Sequence, residues 1–349
     1  MSCLSENLSE AVIPLLSWSS SRGRLDADEV EKLRSVVTPH LSKLTRLRID
    51  GLYYLASGDI SCQQTIYDKI WSIQRAHLVD FIKKMAETGV LCWTFKGAEI
   101  AERWYSSRPI GVFSDVDIIV ERKNLGVVKS MLFSEGFRQS IFDFERESLV
   151  DDDVLELGAI ESRHYELGKF CKLVKIDVDL ESLRYMYGSR TYPLVRVGGE
   201  VFLCLAFDVH HGVANDIDVN DVISDSVPSA FGIGVTVNPT RLLWILTSRY
   251  YMEVAITGKR SLRDFSYLLP LLKECEIDWD HILGMNYKYS LFSSLYFYFC
   301  FMDRIIPGKI PSSVLDKINP VRSGFRGANF GWQLNTLLGE IDPFPLSCL

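Results

Sequence analysis

The chain has 349 residues, 47% apolar and 24% charged, with 38 Lys and Arg against 45 Asp and Glu and a formal net charge of −7. That composition is ordinary for a globular chain of two or three structural units with room for a sizeable core. The acidic balance argues against a protein whose main affinity comes from neutralising a nucleic-acid backbone, and it favours a small molecule or a protein as partner.

Eight cysteines, Cys3, Cys62, Cys92, Cys171, Cys204, Cys275, Cys300 and Cys348, are scattered without a C-x-x-C, as buried thiols are in a reducing, cytoplasmic compartment. Glu6 and Glu10 stand where a secretory signal carries basic residues. The most apolar run, Leu291 to Met302, is too short for a bilayer, so a buried helix is expected there and no membrane segment.

Residues 1–25 are serine-rich, with Ala11 to Trp18 able to dock as one turn. From Asp26 to Leu55 the apolar positions Leu33, Val36, Val37, Leu41 and Leu44 have helical spacing, and Asp26, Asp28 and Glu29 favour the positive end of such a helix. Pro39 should divide it. Ile66, Ile70, Ile73, Phe81 and Met85 trace a second helix that ends before Gly89, with His77 packed on or beside the stripe. Val90 to Phe95 is a short continuous apolar run, the pattern of a buried strand.

Lys96-Gly97-Ala98 follows that strand as a tight turn into a helix beginning near Ala98. Free N–H groups and the helix dipole favour an anion there, Lys96 adds a point charge, and Gly97 lets a phosphate approach the backbone. Ser114-Asp115-Val116-Asp117-Ile118-Ile119-Val120 then reads as a second strand. Its side chains alternate, so Asp115 and Asp117 project together while Val116, Ile118 and Val120 face a core. Two carboxylates about 6 Å apart repel by roughly 2–3 kcal/mol at an effective dielectric near 20. A Mg²⁺ ion relieves such repulsion, since it takes one or two carboxylates together with substrate phosphates. A lone D-x-D is more often a solvated strand edge; coupling to Lys-Gly at a helix start makes this one a candidate site.

The order of an apolar strand, Lys96-Gly97-Ala98, a helix ending in Trp104-Tyr105, Arg108-Pro109 and then Ser114 to Val120 resembles the uncharacterised nucleotidyltransferase family of the DNA polymerase β-like superfamily. The resemblance implies a polymerase-β-like core and metal-dependent transfer of a nucleotide from an NTP. It implies two Mg²⁺ ions held by Asp115, Asp117 and a third acid on a neighbouring strand, with nucleotide contacts from Lys96, Gly97 and Ser114. Arg108 would contact a phosphate, with a surface ion pair to Glu99 or Glu102 as its alternative.

Asn124 to Glu135 reads as a helix closed by Gly136, and the acids from Glu145 to Asp153 read as a solvated loop. Arg163 to Leu167 resembles a family strand that carries a histidine, so His164 faces the nucleotide or makes a strand hydrogen bond. Two stretches compete for the third acid. Ile176-Asp177-Val178-Asp179 alternates like a strand, whereas Phe207-Asp208-Val209-His210-His211 resembles the family's later motif. Asp208 is preferred, because a C-terminal helical region follows that motif by about thirty residues in the family and Asn238-Pro239 opens one at that distance here. Asp177 and Asp179 are the alternatives. His210 shares the strand face of Asp208, in reach of a phosphate or the acceptor, while adjacent His210 and His211 point to opposite faces, against a Zn site.

From Pro239 the pattern is helical, with Leu242, Leu243, Leu246 and Tyr250 on one stripe, Leu262 to Leu272 on another, and a helix capped near Asp278. Beyond Pro307 loops are expected, with a last helix from Trp332 to Leu338. P-loop, zincin and α/β-hydrolase motifs are missing from the sequence. The expected chain is α+β: an N-terminal helical region (1–88), a mixed-sheet nucleotidyltransferase core (89–237) and a C-terminal helical region (238–349). Its expected activity moves an NMP from an NTP to a hydroxyl of a small-molecule, peptide or protein acceptor. The alternative is a catalytically degenerate protein of the same fold that binds a nucleotide or a partner.

Overall fold

The computed structural model describes residues 6–178, 193–257 and 261–320. The chain is α+β and divides into two compact units, Met1–Asp59 with Pro239–Leu349, and Ile60–Asn238. The long helix expected within region 1–88 thus belongs to the sheet unit.

The first unit opens with α1 (Glu6–Ser21), α2 (Ala27–Val37), α3 (Leu41–Arg46) and α4 (Asp50–Ser57). The acidic start of α2 is a capping box, in which Asp26 accepts from the Glu29 N–H and Glu29 accepts from the Asp26 N–H. Pro39 sits in a single 3₁₀ turn, Thr38–His40, that separates α2 from α3.

The sheet unit begins with α5 (Cys62–Glu87), where the Ser61 hydroxyl accepts from the Gln64 N–H at 2.9 Å. There follow β1 (Cys92–Thr94), α6 (Lys96–Trp104), β2 (Val116–Val120), α7 (Leu125–Ser134) and the hairpin β3 (Arg138–Asp143) and β4 (Ser148–Asp151). Next come α8 (Val154–Arg163), β5 (Phe170–Lys175), β6 (Leu194–Val197), β7 (Glu200–His210), α9 (Asn220–Ile223), β8 (Val227–Pro228) and β9 (Val235–Thr236). Among the described residues nine strands form one mixed sheet in the order β4-β3-β5-β7-β2-β1-β9-β8, with β6 also paired to β7. β2 and β7 are parallel, with Asp117 opposite Asp208 and Ile119 opposite His210.

Alternation along these strands gives the sheet two chemically different faces. Val116, Ile118 and Val120 share one face with Phe207 and Val209, all fully buried. Phe81 of α5 meets the Phe207 ring at 5.4 Å and Phe137 meets it at 5.2 Å, so this face is the core and α5 is its cover. Each large apolar side chain buried there stabilises the unit by about 1.5–3 kcal/mol. The other face carries Asp117, Asp208 and His210.

The first unit is completed by α10 (Pro239–Thr257), α11 (Arg263–Glu274), α12 (Trp279–Tyr289), α13 (Phe292–Ile305) and α14 (Ser312–Ile318). α1 packs on α11 and α10 on α13, around Phe265, whose ring lies 4.8 Å from Tyr298 and 4.6 Å from Phe301. Among the described residues no helix is long and apolar enough to cross a membrane. α14 forms where loops were expected, because Val314 and Ile318, one turn apart, are both buried. The helix expected at 332–338 lies outside the described residues.

Candidate functional site

Strand pairing alone sets Asp117 beside Asp208, and His210 follows two residues later on the same face. One ligand atom from each of the three lies within 4.8 Å of the others. His210 is fully buried. Its Nε2 is 3.0 Å from Asp117 Oδ1 and its Nδ1 is 3.4 Å from Glu166 Oε2. Phe95 meets the imidazole edge-on at 5.3 Å and Tyr165 stacks on it at 6.0 Å. Glu166 reaches the site because residues 165–167 run antiparallel to the end of β7: the Leu167 N–H donates to Val209 O and the His211 N–H to Tyr165 O, both at 2.9 Å. At that separation the Glu166 carboxylate acts on the ring through its charge, without the alignment of a hydrogen bond.

The Lys96 ammonium also reaches Asp117 Oδ1. Lys96 opens α6 with a φ of +57°, a left-handed conformation that costs an L-residue roughly 1–2 kcal/mol. The positive φ of the turn therefore falls on Lys96 and not on Gly97, which is buried in the first helical turn; the helix begins two residues earlier than Ala98. The ion pair, and an ammonium 5.0 Å from the centre of the Phe95 ring, compensate the strain. Glu99 anchors α6 behind it. This fully buried carboxylate accepts from the Thr94 hydroxyl at 2.6 Å, the Ser229 hydroxyl at 2.7 Å, the Ala230 N–H at 2.9 Å and Arg103 at 2.7 Å.

Asp115 precedes β2 and is held differently. The Lys169 ammonium lies 2.8 Å from Asp115 Oδ2 and 3.6 Å from Asp208 Oδ1, and the Ser114 hydroxyl donates to Asp115 Oδ1 at 3.1 Å. Burial pushes the Asp115 carboxyl up, but the adjacent Lys169 outweighs it and leaves the group below its usual range. Burial, reinforced by the Asp115 charge, holds Asp208 well above that range against the pull of Lys169. Burial alone would lower Lys169, yet the two carboxylates raise it, so it remains an ammonium. The two carboxyls are thus pushed in opposite directions, Asp115 down and Asp208 up.

Other expected site residues are placed elsewhere. Arg108 pairs with Asp68 Oδ2 at 3.3 Å, while Glu102 is taken by Arg75 and Glu99 by Arg103, each at 2.7 Å. His164 stacks on Tyr165 at 4.4 Å with its Nδ1 3.5 Å from Glu166, so it stands behind the site through those two residues. Asp177 lies beyond the Lys175 end of β5, which pairs with Phe202, six residues along β7 from Asp208 and therefore about 20 Å away. Its carbonyl accepts from Lys69 at 2.6 Å. Asp179 lies outside the described residues. The sequence reading missed Glu166 and Lys169.

Compared with protein-family models, with curated proteins and with solved structures, the chain matches none. What the site can do is therefore read from its own side chains. Two carboxylates and an imidazole whose ligand atoms lie within 4.8 Å of one another could hold a divalent cation such as Mg²⁺ or Mn²⁺.

Proposed function

We propose that the chain is a metal-dependent nucleotidyltransferase with a polymerase-β-like core, moving an NMP from an NTP to a hydroxyl of a small-molecule, peptide or protein acceptor. The supporting observation is the convergence of Asp117, Asp208 and His210 within 4.8 Å, with Lys96 at the start of α6 against the same carboxylate.

Asp117, Asp208 and His210 would hold Mg²⁺, which when bound supplies positive charge to the phosphate oxygens of the substrate. Lys96 and the first-turn N–H groups of α6, which a helix leaves without intrahelical partners, bind the triphosphate. Asp208 accepts the hydrogen bond of the acceptor hydroxyl and takes its proton as the hydroxyl oxygen bonds to the α-phosphorus. The bond from the α-phosphorus to the bridging oxygen breaks, and pyrophosphate leaves with its charge held by Lys96. Glu166 keeps the His210 ring in place. Catalysis then comes mainly from fixed geometry and charge.

The test is to incubate the wild type and Asp117→Asn with each NTP labelled at the α or the γ position, with a deproteinised small-molecule extract as acceptor source. Label from the α position in an acid-stable product or in NMP, with release of pyrophosphate and dependence on Asp117, supports the reading. Label from the γ position would make the chain a phosphotransferase. No turnover alongside retained NTP binding would make it a binding module.

A further inference from the structure

Nucleotidyl transfer of the polymerase-β kind uses two ions about 3.5–4 Å apart, bridged by shared carboxylates. In this chain Asp115 and Asp208, the carboxylates that a second ion beside Asp117 would share, are already bridged. Lys169 approaches from the β5 side of β7, and its ammonium lies 2.8 Å from Asp115 Oδ2 and 3.6 Å from Asp208 Oδ1. We infer that Lys169 takes the place of a second divalent ion, so that the site holds one cation, on Asp117, Asp208 and His210, with the lysine as its fixed companion charge.

Three features of the site agree. Asp115 is not among the groups whose ligand atoms converge on the candidate ion position; its partners are Lys169 and Ser114. Lys169 is placed by the backbone, one step beyond the Phe170–Phe207 pair of the β5–β7 ladder, which sets it opposite Asp208 and on the acid-bearing face. A second ion would also have to displace an ammonium already paired to both of the carboxylates it would bridge. Lys169 is accordingly a positioning residue, standing where an ion would otherwise orient the acceptor oxygen.

The catalytic meaning of this inference rests on the nucleotidyl-transfer reading; the ion count does not. Equilibrium dialysis of the full chain against Mn²⁺, with inorganic tripolyphosphate on both sides of the membrane, counts bound ions by the excess of total Mn²⁺ on the protein side. The expected counts are one ion for the wild type, one for Lys169→Arg and two for Lys169→Met, with the wild-type ion lost in Asp117→Asn. Thermal melting verifies that Lys169→Met is folded, and Lys169→Ala replaces it if it is not. Two ions on the wild type, or a single ion on both folded charge-removing variants, overturns the inference while leaving nucleotidyl transfer standing. No site ion on any form overturns the metal reading itself, and the labelled-NTP assay reports that failure separately.

Discussion

Asp117 on β2 and Asp208 on β7 are register partners in a parallel strand pair, and their carboxylates meet on the face of the sheet that α5 does not cover. A site built on two central strands is positioned by backbone hydrogen bonds before any loop is ordered. It is also expensive to build, because burial and the neighbouring Asp115 charge oppose the ionisation of Asp208, and Lys169 beside it counters that.

Replacing Asp117 by Asn keeps the shape and removes the charge. Mn²⁺ affinity should fall by at least about 100-fold. The buried Lys96 ammonium also loses its carboxylate, at a cost of about 3 kcal/mol, read as a lower urea midpoint with an unchanged slope. Wild-type affinity and stability in Asp117→Asn would contradict both roles.

Lys96 carries left-handed strain as well as charge. Lys96→Ala and Lys96→Gly lose the ammonium equally, but only glycine adopts a φ of +57° without penalty. The glycine variant should be the more stable of the two by about 1 kcal/mol in urea unfolding, and both should lose triphosphate binding. Equal stabilities would mean that the left-handed turn relaxes once the lysine is gone.

Glu166 touches no ligand position directly and acts on the His210 ring at 3.4 Å. Glu166→Gln should weaken Mn²⁺ binding about 10-fold and leave the melting temperature within a degree or two. An unchanged Mn²⁺ affinity would show that the ring is held by Phe95 and Tyr165 alone.

In the other unit, hydrogen bonds from Arg34 hold the Asp59 carboxyl down at about 2, against a smaller upward push from burial, and the Tyr53 hydroxyl adds a bond at 2.8 Å. A carboxyl depressed by folding contributes stability above its unfolded pKa, near 4, and loses it as the pH falls through about 2. The stability difference between the wild type and Asp59→Asn should therefore be constant above pH 5 and shrink between pH 4 and 2. Chemical unfolding at a series of pH values reads it. A difference that persists at pH 2 would place the effect in packing and not in the charge.

The parts of the site legible in the sequence are those fixed by local periodicity. Alternation from Ser114 to Val120 is enough to put Asp115 and Asp117 on one face, and an apolar run before Lys96 is enough for β1. Asp208 was reached through spacing and resemblance, since a parallel register between β2 and β7 has no local signal. Lys169 and Glu166 lie in the connection from α8 to β5, and they join the acids only because that connection pairs with β7. Given that register, the alternation Lys169, Cys171, Leu173 would have placed the lysine opposite Asp208. A turn with a helix start near Ala98 was legible; that the helix opens at Lys96, with the left-handed φ on that residue, was not. Glu99 and Arg103, four apart on α6, form the ion pair that helix geometry favours, which left Arg108 to pair with Asp68. The amphipathic stripe of α5 was plain in the sequence; which layer it covers was not, because a stripe does not name its partner.

The most direct measurement is an anomalous difference map from crystals of the full chain soaked in Mn²⁺ and inorganic tripolyphosphate. The structure predicts a single Mn²⁺ peak within coordination distance of Asp117, Asp208 and His210, with phosphate density between it and the first turn of α6. A map with no peak at those three side chains, or with tripolyphosphate bound away from Lys96, would contradict the account.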